Sequence, residues 1–261
     1  MDKPADLDAN PKHHSISKLA VNSAKPIPLL PANTTTAPTH KSQQQSLRQS
    51  LRQNLKQARA ALSPEQQAQS AKQAAHLALE LITRLCAQDV NLQAASSQTV
   101  TTPTINKPRP IKRIALYHTL GSELNTQPLI DLLRQHLPEC ELYLPRLHPF
   151  CAGHLLFLRY SQESEMTHNQ FGIAEPKLDC REVMAASKLD IILTPLVGFD
   201  RQGQRMGMGG GYYDRTLVNS QAITIGFAHQ VQQVERLPVE VWDQELDYVV
   251  TPSEVHDFTQ S

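Results

Sequence analysis

Glycine is concentrated in one short segment of this chain, and this segment limits the possible folds more than any other. Five of the ten glycines lie between positions 203 and 211, in the order Gly203, Gly207, Gly209, Gly210 and Gly211. Consecutive glycines allow positive φ angles and expose backbone N–H groups, which together can form a concave site for an anion such as phosphate. An apolar run at 191–197 precedes the segment and a helical pattern follows at 211–218. The sequence therefore predicts a strand, a ligand-binding loop and a helix in succession.

Strands and helices alternate along the second half of the chain. Helical patterns lie at 126–137 and 211–218, and short apolar runs predict strands at 114–117, 142–144, 155–160, 191–197, 222–227 and 248–250. This alternation is typical of an α/β domain with a largely parallel sheet, in which ligands bind at the carboxyl ends of the strands. The glycine-rich segment is expected at that end.

Two segments of biased composition flank a helical region. Residues 1–45 are rich in Pro, Ser, Thr, Asn, Gln and Lys and lack aromatic residues, which predicts a disordered tail. Residues 46–256 are expected to form one domain, with 88–112 as a flexible surface insertion. Between the two segments, one helix is predicted from an apolar face formed by Leu47, Leu51, Leu55, Ala58 and Leu62. A second begins at Pro64, after the N-cap Ser63, and runs to about Cys86.

Charge, apolar runs and cysteine spacing exclude several classes of protein. The net charge is zero, which argues against nucleic-acid binding by bulk electrostatics. No run of eighteen apolar residues is present, which argues against a membrane span. The four cysteines form no Cys-x-x-Cys pair, and the acidic N-terminus resembles neither a secretory signal nor a transit peptide. A cytoplasmic location is expected.

The glycine-rich segment matches neither of the two common phosphate-binding motifs. A P-loop would need Gly-Lys-Ser/Thr at its end, and a dinucleotide fingerprint would need glycine at position 212, where Tyr212 stands. The glycines could instead form only a tight turn between strand and helix. A turn alone gives no reason for Arg205, Tyr213 and Asp214 beside it, and a ligand site is the preferred interpretation.

Basic residues form a second pattern, on the first predicted helix. Arg48, Arg52, Lys56 and Arg59 recur at intervals of four, four and three residues and share one helix face. Such a stripe is often a solvated helix surface. It could also reach over the sheet toward a bound phosphate, because the planar guanidinium group pairs with phosphate oxygens in bidentate fashion. The spacing leaves both interpretations open.

Acidic residues supply candidate metal ligands. Mg²⁺ takes one or two carboxylates together with substrate phosphates, and Asp214 is the best placed carboxylate because it follows the glycines directly. The other candidates are Glu123, Asp200, Asp243 and Asp247, of which Asp200 could equally cap a loop. The histidines show no metal-ligand spacing, and His118 is singled out because it ends the first strand near Glu123.

At residues 193–215 the sequence resembles the signature of the 5-formyltetrahydrofolate cyclo-ligase family, also called methenyltetrahydrofolate synthetases. Segments 50–56, 121–124, 144–146 and 237–239 resemble other parts of the family pattern in the same order. The resemblance covers residues 46–253 and implies a Rossmann-like three-layer α/β/α fold. It implies that ATP and Mg²⁺ are used to convert 5-formyltetrahydrofolate into 5,10-methenyltetrahydrofolate, with ADP and phosphate as products.

The resemblance also implies roles for individual residues. The catalytic residues would be Arg52, Arg205 and Tyr213. ATP would be bound by Arg48, Arg52, Arg205, Met206, Gly207, Met208, Gly209, Gly210, Gly211, Tyr212 and Tyr213. The folate substrate would be bound by His118, Glu123, Met208 and Tyr212, and Mg²⁺ by Asp214 and Asp247. Met208 and Gly210 stand where some members of the family carry basic residues.

The partners expected from this resemblance are small molecules, with no nucleic acid and no membrane, and the protein is expected to be a monomer. Two other functions compete with this one. A nucleotide- or folate-binding sensor without catalysis is disfavoured because Arg52, Glu123, Arg205 and Asp214 occur together. An RNA-associated protein that uses the basic helix is disfavoured by the zero net charge and the absence of interleaved aromatic residues.

Overall fold

The computed structural model of the chain describes residues 40–96 and 111–260. Most of the predicted tail and residues 97–110 of the predicted insertion lie outside the described residues. The helices are α1 (His40–Ala60), α2 (Pro64–Ser96), α3 (Gln127–His136) and α4 (Tyr212–Leu217). The strands are β1 (Arg113–Ala115), β2 (Glu141–Leu147), β3 (Leu155–Arg159), β4 (Met166–His168), β5 (Ala174–Pro176), β6 (Val183–Met184), β7 (Ile191–Thr194), β8 (Gly198–Phe199), β9 (Arg205–Met206), β10 (Ile223–Phe227), β11 (Tyr248–Val250) and β12 (Val255–Asp257).

Eight of these strands form one sheet, in the order β12-β11-β10-β7-β1-β2-β3-β6. The five central strands, from β11 to β2, are all parallel, and the antiparallel strands lie at the two edges. The chain leaves β1 to form β2 on one side and later returns to form β7 on the other. The strand order therefore reverses between β1 and β7, and ligands of such sheets bind at the carboxyl ends of the strands next to this point.

The two faces of the sheet bury alternate side chains of each strand, as the period of two requires. In β7, Ile191 and Leu193 face the cluster formed with α2 and α3, whereas Ile192 faces the other side. That second side is covered by Leu217 of the short helix α4 and by loop residues. The predicted three-layer α/β class with a mainly parallel sheet is confirmed, and its second helical layer is thin.

The ends of two helices differ from the sequence prediction. Helix α1 begins at His40, so the last residues of the predicted tail are helical. Helix α2 continues to Ser96, which makes residues 88–96 of the predicted insertion helical as well. Alanine, leucine and glutamine favour helix there, and the next helix-breaking residue is Pro103. The boundaries of compositional bias and of secondary structure therefore do not coincide.

The orientation of α1 also differs from the prediction. Of its expected apolar face, Leu55 is buried, but Leu47 is 58% exposed and Ala58 is exposed. The basic stripe includes the most deeply buried side chain of the helix, Arg59, at 3% exposure. The reason is that α1 packs on loops at the carboxyl ends of the central strands, where it meets backbone carbonyls, and not on an apolar sheet face.

The strands that the sequence prediction missed are short. Two hairpins, β4–β5 and β8–β9, have strands of two or three residues, and the edge strands β6 and β12 are equally short. Alternation over so few residues gives no usable hydrophobic period. Within the described ranges 40–96 and 111–260, no helix is long and apolar enough to cross a membrane.

We predict that Gly226→Ala lowers the free energy of unfolding by about 1–3 kcal/mol. A Cβ atom there would lie 2.7 Å from side-chain atoms of both Leu196 and Leu246, in a packed interior. Thermal melting should show the loss as a fall of about 2–4 °C per kcal/mol. Gly207→Ala is the matched control, because its added Cβ would have no neighbour within 4 Å. Equal melting temperatures for both variants would contradict this packing.

Candidate active site

Helix α1 lies across the loops that leave the carboxyl ends of β1 and β7. In its first half, the Arg48 guanidinium forms two hydrogen bonds with the Asp243 carboxylate, at 2.6 and 3.2 Å, and donates to the Pro238 carbonyl at 2.7 Å. In its middle, Arg52 Nε donates to the Gly207 carbonyl at 2.8 Å. The basic stripe therefore faces the protein, and the alternative of a solvated surface is wrong for Arg48, Arg52 and Arg59.

The glycine loop begins at the end of the β8–β9 hairpin and ends where α4 begins. Gly209 and Gly211 have φ angles of 100° and 67°, which few residues other than glycine adopt. Arg52 also lies over Gly209, since a Cβ atom there would be 3.6 Å from the Arg52 Cζ. Within the described residues, the N–H groups of residues 207–211 donate no hydrogen bond. The loop therefore combines N–H groups that are free to bind with an adjacent guanidinium, the two features on which the predicted anion site depends.

Behind the loop, Arg205 is 4% exposed and forms an ion pair with Asp214, on α4. Burial lowers the pKa of Arg205, and the charges of Asp214, Tyr213 and Asp243 oppose that shift. Asp243 therefore lies close to the same guanidinium, and its own side chain is buried beside Arg48. Sequence reasoning named Asp243 only as one acidic candidate among five. No feature of its local sequence distinguishes it.

Asp247, the second predicted metal ligand, lies elsewhere. Its carboxylate accepts hydrogen bonds from the backbone N–H and hydroxyl of Thr224, at 2.7 and 2.8 Å, in the first half of β10. The candidate site lies beyond the other end of that strand. No described contact joins Asp247 to Asp214, and within residues 40–96 and 111–260 no three His, Cys, Asp or Glu residues cluster as a metal site.

The two tyrosines after the glycines point to different surroundings. The Tyr212 ring meets the half-exposed Phe171 edge-on, with ring centroids 6.3 Å apart, and the Arg215 guanidinium lies 5.9 Å from the Tyr212 centroid. Phe171 comes from the β4–β5 hairpin and was not predicted. Tyr213 has a buried hydroxyl for which the described residues offer no hydrogen-bond partner. Burial, followed by the charge of Glu123, raises the pKa of Tyr213.

A cleft of about 480 Å³ opens beside the loop that follows β1. His118 and Glu123 line it, together with Pro64, Gln67, Ala68, Thr119, Gly121, Asn125, Thr126 and Gln127. Burial raises the pKa of Glu123, although its carboxylate accepts a hydrogen bond from the Leu120 N–H at 2.9 Å. The pKa of His118 is lowered by burial, and its ring meets Tyr160 edge-on. The two predicted folate-binding residues therefore share one cleft, whereas Met208 is half exposed in the glycine loop.

Sequence reasoning gave no role to His229, which follows β10. It is 1% exposed, and burial, followed by the nearby charge of Arg59, lowers its pKa to about 4. At neutral pH, His229 is therefore a neutral histidine buried beside Arg59. A lone histidine carries no sequence signal for this placement.

The lowered pKa of His229 predicts a loss of stability in acid. Its neutral form is favoured only in the folded protein, so the unfolded chain binds more protons as the pH falls from about 6.5 toward about 4. The free energy of unfolding in urea should therefore decrease over this range, and His229→Phe should decrease less. His168→Gln, a change at an exposed histidine, should behave like the unchanged protein. Parallel curves for the His229→Phe variant and the unchanged protein would disprove the effect.

Known proteins resemble this chain over most of its length. Residues 43–252 match the model of the 5-formyltetrahydrofolate cyclo-ligase family. The 5-formyltetrahydrofolate cyclo-ligase of Escherichia coli (strain K12) is 44% identical over 203 residues, which are 77% of this chain and 97% of that protein. The protein of the same name from Haemophilus influenzae is 49% identical over 156 residues, 58% of this chain and 82% of that protein.

Two solved structures share the fold. The 5,10-methenyltetrahydrofolate synthetase of Aquifex aeolicus has a TM-score of 0.60 at 27% identity and covers 82% of this chain and 94% of its own. The protein of that name from Mycoplasma pneumoniae has a TM-score of 0.55 at 22% identity, over 78% and 98% of the two chains. Because the family model spans most of the sequence and the Escherichia coli relative is matched over nearly its full length, this chain belongs to the 5-formyltetrahydrofolate cyclo-ligase family.

Proposed function

We propose that this protein uses ATP and Mg²⁺ to convert 5-formyltetrahydrofolate into 5,10-methenyltetrahydrofolate, with release of ADP and phosphate. The observation that carries the proposal is the glycine loop, in which the N–H groups of residues 207–211 donate no hydrogen bond within the described chain and Arg52 lies directly over Gly209. A surface of this kind suits the triphosphate of a nucleotide better than a neutral ligand.

The phosphates would lie between the glycine loop and α1. Arg52 would turn part of its guanidinium from the loop toward phosphate oxygens, and the backbone N–H groups would bind the others. Arg48 would contribute charge from one turn earlier in the helix, while Arg205 acts from behind the loop. The three arginines are each tied to a loop carbonyl before the ligand arrives, by hydrogen bonds to Pro238, Gly207 and Gln244. Such preorganisation is what phosphoryl transfer needs from a protein.

Mg²⁺ fits the carboxylates near Arg205. Asp214 and Asp243 both influence that guanidinium, and two carboxylates complete a magnesium site when phosphate oxygens supply further ligands. The ion would supply charge to the transferring phosphoryl group. We infer that Asp243 is better placed for this role than Asp247, because Asp243 lies near Arg205 and Asp214 whereas Asp247 binds Thr224 in the first half of β10.

The folate would occupy the cleft and the rim of the loop. Glu123 and His118 line the cleft, and Tyr212 with Met208 would border the site on the side of the loop. The formyl oxygen of the substrate would attack the γ-phosphorus, and ADP would leave. The second folate amine would then attack the formyl carbon, and phosphate would leave as the ring closes. Tyr213 would lie between the folate and phosphate regions, because its buried hydroxyl is near both Glu123 and Arg205.

The monomeric state remains a prediction from the family resemblance. The cytoplasmic location remains a prediction from composition.

The proposed activity predicts that the purified full chain, given ATP, Mg²⁺ and 5-formyltetrahydrofolate, forms the methenyl chromophore in the near ultraviolet. Omission of ATP or addition of a chelator should stop its appearance, and ADP should form in equal amount. Binding of both ligands without any absorbance change would instead indicate a sensor without catalysis and refute the proposal.

Arg52→Met should lower kcat/KM by about a hundredfold, the usual cost of one donor to a developing negative charge. Arg52→Lys should recover only part of this, because lysine keeps the charge but lacks the planar fork. Arg84→Met removes an exposed arginine of α2 and should leave the rate unchanged. Full activity of Arg52→Met would remove this residue from the phosphate site.

Asp214→Asn and Asp243→Asn should each raise the Mg²⁺ concentration for half-maximal rate by about tenfold or more, because each removes one carboxylate ligand. Asp247→Asn should leave this concentration unchanged and lower the melting temperature. Rates measured over a Mg²⁺ titration at fixed ATP would test this. A changed Mg²⁺ requirement in Asp247→Asn, but not in Asp243→Asn, would assign the second ligand to Asp247.

A further inference from the structure

Arg59 is a buried cation that connects the two loops at the strand-order reversal. Its Nε donates to the Ser122 hydroxyl at 3.2 Å, in the loop that follows β1. Its NH1 group donates to the Leu196 carbonyl at 3.3 Å, just after β7. One side chain of α1 therefore spans the point where a parallel sheet of this order binds its ligand. The proposed chemistry above gives Arg59 no role.

The charge of Arg59 has no direct ion-pair partner among the described residues. A charge that is 97% buried is costly unless an opposite charge or several hydrogen bonds compensate it. Burial lowers the pKa of Arg59, and the strongest opposing influence is the charge of Glu123. Glu123 follows Ser122 in the same loop, so the hydrogen bond to Ser122 holds the cation beside the segment that carries this carboxylate.

The other groups around Glu123 do not supply an equivalent positive charge. Lys56 also favours the charged carboxylate, but its side chain is exposed and therefore screened by solvent. Tyr117 and Tyr213 face the same carboxylate, and their pKa values are raised, so both are neutral. His118 lines the same cleft, and His229 lies beside Arg59 with its pKa lowered to about 4. Arg59 is thus the buried cation of this group.

We propose that Arg59 is a positioning residue: it is the counter-ion of the buried Glu123 carboxylate and, through Ser122 and Leu196, fixes the Glu123 loop against the segment that follows β7. A charged Glu123 in a half-enclosed cleft can accept hydrogen bonds from the N–H groups of a pterin-type ring, whereas a protonated one would offer a competing donor. The role in substrate binding rests on the proposed function. The pairing of the two charges does not.

The pairing of Arg59 with Glu123 can be tested without an activity measurement. In protein labelled with ¹³C at the glutamate carboxyl, the signal that disappears in Glu123→Gln identifies Glu123, and its chemical shift is followed with pH. In Arg59→Gln the midpoint should rise by about one pH unit or more, the effect expected when a nearby opposite charge is lost. Arg59→Lys should shift the midpoint less. An unchanged midpoint in a folded Arg59→Gln protein would overturn the proposal.

Gln232→Met is the structural control. Gln232 donates to the same Leu196 carbonyl at 2.8 Å but carries no charge, so its loss should loosen the loop without moving the Glu123 midpoint. An equal shift in this variant would reduce Arg59 to a structural role and overturn the proposal. If Arg59→Gln does not fold, Ser122→Ala removes the bond that directs Arg59 and should raise the midpoint by a smaller amount. No change in that variant would also count against the proposal.

Kinetics separate the two proposals. At a pH below the Glu123 midpoint of the unchanged protein, Arg59→Gln should raise the KM for 5-formyltetrahydrofolate by about tenfold, corresponding to about one pH unit of differential stabilisation, and change kcat little. Well above both midpoints, where Glu123 is charged in both proteins, the two KM values should converge. The KM for ATP should stay the same. If the unchanged protein shows no turnover, the proposed function fails while the Glu123 titration still decides the role of Arg59.

Discussion

The arginines of α1 connect parts of the site that are distant in sequence. Arg48 donates to a carbonyl of the 237–243 segment, Arg52 to one of the glycine loop and Arg59 to one just after β7, which lie 190, 155 and 137 residues away in sequence. Each bond satisfies a loop carbonyl that secondary structure leaves without a partner. Without α1 these loops would keep their sequence but lose their relative positions. The helix is thus part of the site itself, although it lies outside the sheet.

Charge within the site is arranged in two groups. Around the glycine loop, the cations Arg48 and Arg205 are balanced by Asp243 and Asp214, so that the buried charges are paired. Around the cleft, Glu123 and Arg59 carry opposite charges and attract each other at longer range. Tyr213 lies near members of both groups. A ligand that carries phosphates at one end and a polar ring at the other would meet each group in turn.

The sequence predicted the sheet because its central strands are apolar runs such as 191–194. It placed the glycine loop after that strand but missed the β8–β9 hairpin between them, because strands of two residues show no hydrophobic period. It failed for α1, where hydrophobic periodicity assigned the buried face to leucines. Periodicity assumes an apolar partner, whereas this helix packs on carbonyls, for which arginine is the better match. Asp243 and Asp247 show a second limit: four residues apart, they differ only in tertiary neighbours, which no local pattern encodes.

The rigidity of α1 has a consequence for how this protein can change in evolution. A helix advances about 1.5 Å and turns about 100° per residue, so Arg48, Arg52 and Arg59 stand about 6 and 10.5 Å apart along one axis. Substitutions between them leave this spacing intact, but insertion or deletion of a single residue would rotate one arginine away from its loop. The segment from Arg48 to Arg59 therefore has a fixed length, which matches the distance between the proposed phosphate region and the cleft.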